Sequence, residues 1–245
     1  MEMPSRAFAD IHTHILPHVD DGAQTMEQSL ELIRRAWEDG IRIIILTPHY
    51  RRDYKKHTPE ELRQIFEELQ QKTAENYPEL RLYLGQEVYY EMDVPEQLSG
   101  GRILSLNGSD YVLIEFRRQT TRSQIIFAVS EVIRYGWIPI VAHIERYDCM
   151  RKDASLVDEL LDMGALMQLN ADSVMGIQGF QVKRFCHRLL KQEKIQFIAS
   201  DTHNATARPP ELRKCFLFVQ KKYGAAYATQ IFYENAQIVL KNGEF

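Results

Sequence analysis

The chain has 245 residues, a net charge of −4 with neutral histidines and a pI near 6.1. That length accommodates one large domain with a sizeable core, and the lack of excess positive charge disfavours general nucleic-acid binding. No apolar run approaches a membrane span, and the N-terminal MEMPSRAF lacks a basic segment followed by an apolar one, so a cytoplasmic location without membrane insertion is expected.

In chain order, short β-rich apolar runs alternate with stretches of helical period, the pattern of βα units around a parallel sheet. The first run, FADIH, leads into His12 and His14. A helix over 26–38 follows, with Met26, Leu30, Ile33 and Trp37 on one face and Glu27, Glu31, Arg34 and Glu38 on the other; Gly40 closes it as a C-cap. IRIIILTPH forms the second strand and ends in His49. The next stretch, HYRRDYKKHT at 49–58, is basic with two tyrosines, and reads either as a receiver of an acidic, tyrosine-rich peptide or as a solvated loop. A helix over 59–75 opens on TPEE, with a threonine cap, a proline in the first turn and two acids near the positive end of the dipole.

Five further strands read LRLYLGQEV, DYVLIEF, WIPIVAHI, ALMQLNA and IQFIASD; four of them lead into Glu87, Glu115, His143, and the pair Asp201 and His203. The tail from about 209 to 241 reads as two or three helices that cover the barrel. No linker rich in Pro, Gly or Ser divides the chain, which predicts one α/β domain over 1–245, a seven-stranded barrel or a closely related sheet.

Six of the seven strands therefore end in a potential metal ligand. In barrels the C-terminal strand ends meet at one mouth, so residues distant in sequence would converge there. The HxH element fits this use, because residues i and i+2 of an extended strand point the same way. Alone it could be a pair of packing histidines, and Asp201 or His203 could merely cap a helix. The coincidence over six strand ends favours a metal centre. A set of imidazoles and carboxylates without a thiolate points to manganese, iron(II), zinc or magnesium in a catalytic site. Cys149, Cys186 and Cys215 form no CxxC pair and read as reduced packing residues; the sixth residue after each is Ser155, Gln192 and Lys221, so none begins a cysteine-phosphatase loop with its arginine.

The order HxH, a downstream Asp, TPH, a Glu after the third strand, an acid after the fourth, AH and SDxH resembles the PHP (polymerase and histidinol phosphatase) family of metal-dependent phosphoesterases. DIHTHILPHVDDGAQTMEQSLELIRRAWEDGIRIIILTPHY, GQEVY, LIEF, AHIERY and ASDTHN are similar to its bacterial protein-tyrosine phosphatases of the CpsB/YwqE type, which act beside tyrosine kinases governing capsule and exopolysaccharide synthesis. The resemblance implies a distorted (β/α)7 barrel of PHP type and three divalent metal ions. It assigns His12, His14, Glu87 and Asp201 to the first metal; Glu87 bridges to a second held also by Glu115 and His143; Asp21, His49 and His203 hold the third. Other branches often place histidine at the positions of Asp21 and Glu115. The two extra carboxylates harden the site, which favours manganese, with iron, zinc or magnesium as alternatives. Arg146 and Arg208 are assigned to phosphate binding and catalysis, where guanidinium matches phosphate bidentately. His49 is also a candidate general acid. The expected partner is a phosphotyrosine protein, namely the tyrosine-rich tail of a bacterial tyrosine kinase. One departure is Ile144, where many relatives have proline in an HPER stretch.

Three alternatives stay open at this level: a phosphatase of a small phosphomonoester such as histidinol phosphate or a nucleotide, a non-catalytic PHP interaction module, and an amidohydrolase. The last often bridges its metals with a lysine, whereas Glu87 stands at the bridge here. His18, His57 and His187 fall outside the ligand set, His187 in a helical stretch with a structural role.

Overall fold

A computed structural model of the protein describes residues 7–51, 54 and 57–245. All seven predicted strands form, and two are interrupted, giving β1 Phe8–Thr13, β2 Ile41–Leu46, β3 His49–Tyr50, β4 Arg81–Leu84, β5 Glu87–Tyr89, β6 Tyr111–Glu115, β7 Ile138–Val141, β8 Leu166–Asn170 and β9 Phe197–Ala199. They pair in parallel as β1-β2-β4 and as β3-β5-β6-β7-β8-β9. A parallel bridge between Thr13 and Thr202 brings the last strand back against the first. His14 N–H donates to Thr202 O at 2.7 Å and Asp201 N–H to His12 O at 3.0 Å across that seam. The result is the curled parallel α/β sheet that the sequence predicts.

The interruptions fall at Thr47–Pro48 and Gly85–Gln86. Pro48 has no N–H to give a ladder, and Gly85 lies so close to Leu106 that a Cβ would meet its Cδ2 at 2.7 Å. The strands stay together around these points, with Gly85 N–H donating to Leu46 O at 2.9 Å and Glu87 N–H to Pro48 O at 3.2 Å.

Strand alternation divides the core in two. Ala9, Ile11, Ile43, Ile45, Leu113, Ile140 and Phe197 cluster inside the curl, while Ile44, Leu46, Val112, Ile114, Val141, Met167 and Leu169 pack outward with the helices. Ala236 and Val239 of the helix Asn235–Leu240 join the inner cluster. The predicted tail is four consecutive helical segments, Arg213–Tyr223, Ala225–Thr229, the π-turn Gln230–Glu234 and Asn235–Leu240.

The first predicted helix runs Met26–Asp39, capped by Thr25 and closed by Gly40 at φ +100°. Its buried stripe is Ser29, Leu32, Ile33 and Ala36, with Met26, Leu30 and Trp37 only partly covered. The small Ser29 and Ala36 let the helix come close, and Ser29 Oγ donates to Ile15 O at 2.6 Å. The second predicted helix runs Pro59–Asn76 with a full capping box between Thr58 and Glu61.

Candidate metal centre

Three local devices aim the site residues. Between Asp10 and Thr13 the register of β1 against β2 gains a residue, a bulge that turns His12 inward from the face that Phe8 shares with the outer core. Asp10 Oδ1 takes up the Ser200 N–H at 3.1 Å beside this bulge and lies 3.4 Å from the His12 N–H. His143 and Asp201 adopt left-handed φ of +33° and +55°, conformations that cost a non-glycine residue about 1–3 kcal/mol and cluster at functional sites. In the first loop Gly22 passes so near His14 that a Cβ would lie 2.0 Å from its carbonyl oxygen.

All nine predicted ligand residues converge. Glu87 is central: its Oε2 lies 3.2 Å from His12 Nε2, 3.2 Å from His14 Nε2 and 3.0 Å from His49 Nδ1, while Oε1 is 2.8 Å from His143 Nε2. Asp201 Oδ1 lies 3.4 Å and 3.5 Å from the Nε2 atoms of His12 and His14. Asp21 Oδ1 is 3.5 Å from His49 Nε2 and 3.4 Å from His203 Nε2, and Glu115 Oε1 is 3.3 Å from His49 Nδ1. Four overlapping groups able to hold a metal ion result, each with its donor atoms within 4.8 Å of one another: His14, Asp21, His49 and His203; His12, His14 and Glu87; His12, His143 and Asp201; and His49, Glu87 and Glu115. Arg146 and Arg208 both end on Asp201 Oδ2, Arg146 at 2.6 Å.

The outer nitrogens of four of these histidines also have partners. His14 Nδ1 meets Asp20 Oδ2 at 2.7 Å, His12 Nδ1 meets Gln168 Oε1 at 3.2 Å, His203 Nδ1 meets the Asp201 carbonyl at 3.0 Å and His143 Nδ1 lies 3.4 Å from the Tyr147 hydroxyl. Such contacts fix ring orientation and direct the inner nitrogen to the centre. Sequence reasoning missed Asp20, Gln168, Asn170 and Tyr147 as participants. For Asp20 the DDG stretch was a usable signal, since two adjacent carboxylates at a site divide into one that binds and one that orients. Asp20 is the buried one, also accepting from Gly22 N–H and His49 N–H, each at 2.9 Å; the Asp21 side chain is half exposed.

The electrostatics suit cations. Burial by itself lowers the pKa of His12, His14 and His49, yet the carboxylates prevail: Glu87 and Asp201 raise His12, Asp20 raises His14 well above its usual value, and Glu87 carries His49 up to about 10. Burial likewise pushes Glu87 and Asp201 up, but His12 and its neighbours hold both well below the usual carboxylate range. His49 Nδ1 and Glu115 Oε1 are buried with no hydrogen bond. Burial lowers His143 and His203 instead, which keeps them neutral, and a pocket of this kind fits divalent ions, which would replace the protons on the other three imidazoles.

Other expectations find their places. His187 lies on the helix Phe180–Lys191, 3.1 Å from Val174 O and stacked on Phe218, a structural role. His18 and His57 join none of the metal-capable groups. Cys186 and Cys215 are buried and Cys149 half-buried, all free. Of the basic stretch 49–58, Arg52, Asp53, Lys55 and Lys56 lie outside the described residues. Tyr54 stacks on His49 at 5.3 Å, which puts part of that stretch against the centre. Among the described residues no helix is long and apolar enough to cross a membrane.

A curled parallel sheet with buried histidine and carboxylate groups at its C-terminal edge defines a metal-dependent hydrolase of the barrel type. The chain belongs to the CpsB/CapC family of capsular polysaccharide synthesis, whose model matches residues 8–241. It is 38% identical over 241 residues to tyrosine-protein phosphatase CpsB of Streptococcus agalactiae, covering 95% of this chain and 98% of that one. It is 34% identical over 233 residues to tyrosine-protein phosphatase YwqE of Bacillus subtilis, covering 95% and 91%. Among solved structures it superposes with a TM-score of 0.89, at 34% identity and over 97% and 96% of the two chains, on one from the crystal structures of YwqE from Bacillus subtilis and CpsB from Streptococcus pneumoniae, described as unique metal-dependent tyrosine phosphatases.

Proposed function

We propose that residues 1–245 act as one phosphoesterase unit that removes phosphate from protein phosphotyrosine. The protein is a metal-dependent tyrosine-protein phosphatase of the CpsB type, linked to capsular polysaccharide synthesis. The observation that carries this reading is the meeting of five imidazoles and four carboxylates around Glu87 with two arginines at their edge.

His12, His14, Glu87 and Asp201 would hold one ion; Glu87, Glu115 and His143 a second; and Asp21, His49 and His203 a third. The acidic, thiolate-free donor set favours manganese. When bound, such ions acidify water and draw charge from phosphoryl oxygens. The chain's own residues do the rest. Arg146 and Arg208, which follow β7 and β9 and both reach Asp201, would clamp the phosphoryl oxygens and orient the ester for in-line displacement. His49 turns both ring nitrogens toward carboxylates, so we give it the ligand role rather than that of general acid. A phenolate leaving group needs less protonation than an alkoxide, so the reaction we propose does not depend on a protein general acid. The substrate we favour is the tyrosine-rich tail of a bacterial tyrosine kinase.

The test is phosphate release from a tyrosine-phosphorylated peptide by metal-free protein resupplied in turn with manganese, zinc and magnesium, with histidinol phosphate as competitor. Release supported best by manganese and favouring the peptide is expected. Preference for histidinol phosphate would move the enzyme to small phosphomonoesters, and no release with any ion would leave a non-catalytic module.

A further inference from the structure

Strand β8 is the one predicted strand that leads into no metal ligand, yet its inward side chains reach the centre. Leu166 lies in the inner apolar cluster, Met167 and Leu169 face outward, and Gln168 and Asn170 are fully buried beside His12, His143 and Asp201. We propose that Gln168 and Asn170 are positioning residues, a one-way relay of side-chain amides that locks His12 and Asp201 in the orientations the metal centre requires. The inference rests on the metal-centre reading above and adds residues to it.

The direction of the relay follows from which groups can only donate. The His143 backbone N–H must donate, so the Gln168 atom 2.7 Å from it is the oxygen, Oε1. His12 Nδ1 shares that oxygen at 3.2 Å and must therefore carry a hydrogen, which leaves the lone pair on Nε2, the atom facing Glu87 and Asp201. The other end of Gln168 is then the NH2 group, 2.8 Å from Asn170, which must answer with Oδ1. Asn170 Nδ2 in turn donates to Asp201 Oδ2 at 2.8 Å. That oxygen also receives Arg146 and Arg208, so Oδ1 is the one turned toward His12 and His14. A single reversed amide would set two donors or two acceptors against each other at both of its own contacts.

The choice of an amide beside His12 also makes sense next to His14, whose outer nitrogen meets the carboxylate of Asp20. His12 already faces two carboxylates, and a neutral acceptor fixes its tautomer without a third buried negative charge.

The test compares Gln168→Met, Gln168→Glu and Asn170→Ala, with manganese affinity measured on metal-stripped protein by competition with a chelating dye and thermal melting measured alongside. Glutamate keeps the acceptor for His12 and His143 N–H, whereas methionine keeps volume and loses the acceptor. Positioning predicts an affinity loss of about 10- to 100-fold in Gln168→Met and roughly tenfold in Asn170→Ala; Gln168→Glu keeps the acceptor for His12 but loses the NH2 group that faces Asn170, so its loss should also be roughly tenfold. A role confined to packing or to satisfying the His143 N–H lowers the melting temperature of Gln168→Met and leaves affinity unchanged, and that result overturns the proposal. If Gln168→Met fails to fold, the other two variants decide: unchanged affinity in Asn170→Ala or in Gln168→Glu counts against it. Wild-type protein that takes up no manganese or zinc removes the metal-centre reading and the relay with it, an outcome distinct from equal binding by wild type and variants.

Discussion

The lower and upper halves of the barrel interior are built by the same strands and obey opposite rules. Below, Ile43, Ile45, Leu113, Ile140 and Phe197 close-pack with almost no exposed area and no polar atom to satisfy. Above, on the strands or just past their C-terminal ends, Glu87, Glu115, His143 and Asp201 are also buried and carry ionisable groups. Burying apolar surface stabilises by about 25 cal/mol per Å². Burying opposed charges costs free energy unless each is paired, and here pairing is shared among imidazoles, carboxylates and arginines. The contrast places the folding drive below and the chemistry above.

Substitutions in the two halves should therefore separate stability from activity. The largest effect belongs to His14→Ala: loss of an orienting contact alone typically costs a metal enzyme 10- to 100-fold, so loss of a ligand should lower phosphotyrosine hydrolysis by more than about 100-fold. Its metal-free melting temperature should fall as well, because His14 pairs with the buried Asp20, so activity is compared per folded molecule; wild-type activity of the folded fraction would dissolve the division. Next, Arg208→Ala should reduce kcat by roughly 100-fold, the cost of one preorganised donor to a developing anion, while manganese content measured by elemental analysis is unchanged. In the lower half, Ile140→Ala should destabilise by about 2–5 kcal/mol in urea titrations and leave the turnover of the folded fraction within about twofold.

The smallest effect is on pH dependence. His49, raised from its usual 6.5 to about 10, contributes stability to metal-free protein that is fully present below pH 6.5 and is lost as pH rises toward 10. Glu87 and Asp201, held low, contribute stability that is present above the ordinary carboxylate range and lost only in strong acid. Melting of the metal-free protein should thus decline from pH 6.5 to 10, while manganese affinity rises over the same span as protons cease to compete. Ile140→Ala should lower that curve without changing its shape; a changed slope would mean the halves are coupled.

Much of this was legible in the sequence because each apolar run is followed directly by its ligand-type residue, as in FADIH, IIILTPH and FIASD. Alternation and the barrel rule then suffice to bring the ends together. What the sequence could not announce were changes of local geometry. Strict alternation puts His12 on the face of Phe8 and His143 on the face of Val141; a bulge and a left-handed residue reverse both. Gln168 and Asn170 were invisible for another reason, since neutral amides carry no ligand signature and act only through partners distant in sequence. The face of the helix Met26–Asp39 was displaced because Ser29 and Ala36, which are weak hydrophobes, allow the closest approach.

The two strand interruptions have a consequence for which lengths of chain the molecule can tolerate. Ile43, Ile45 and His49 share one parity, as do Tyr83 and Glu87, so the side-chain count runs evenly through Thr47–Pro48 and Gly85–Gln86. One residue inserted at either point would swing His49 or Glu87 to the outer face and empty the middle of the centre. The same residue inserted in the surface turn ahead of the helix Arg122–Arg134 would add only slack. Divergent copies of this chain can therefore lengthen their loops freely but must keep these two short spacers to the residue.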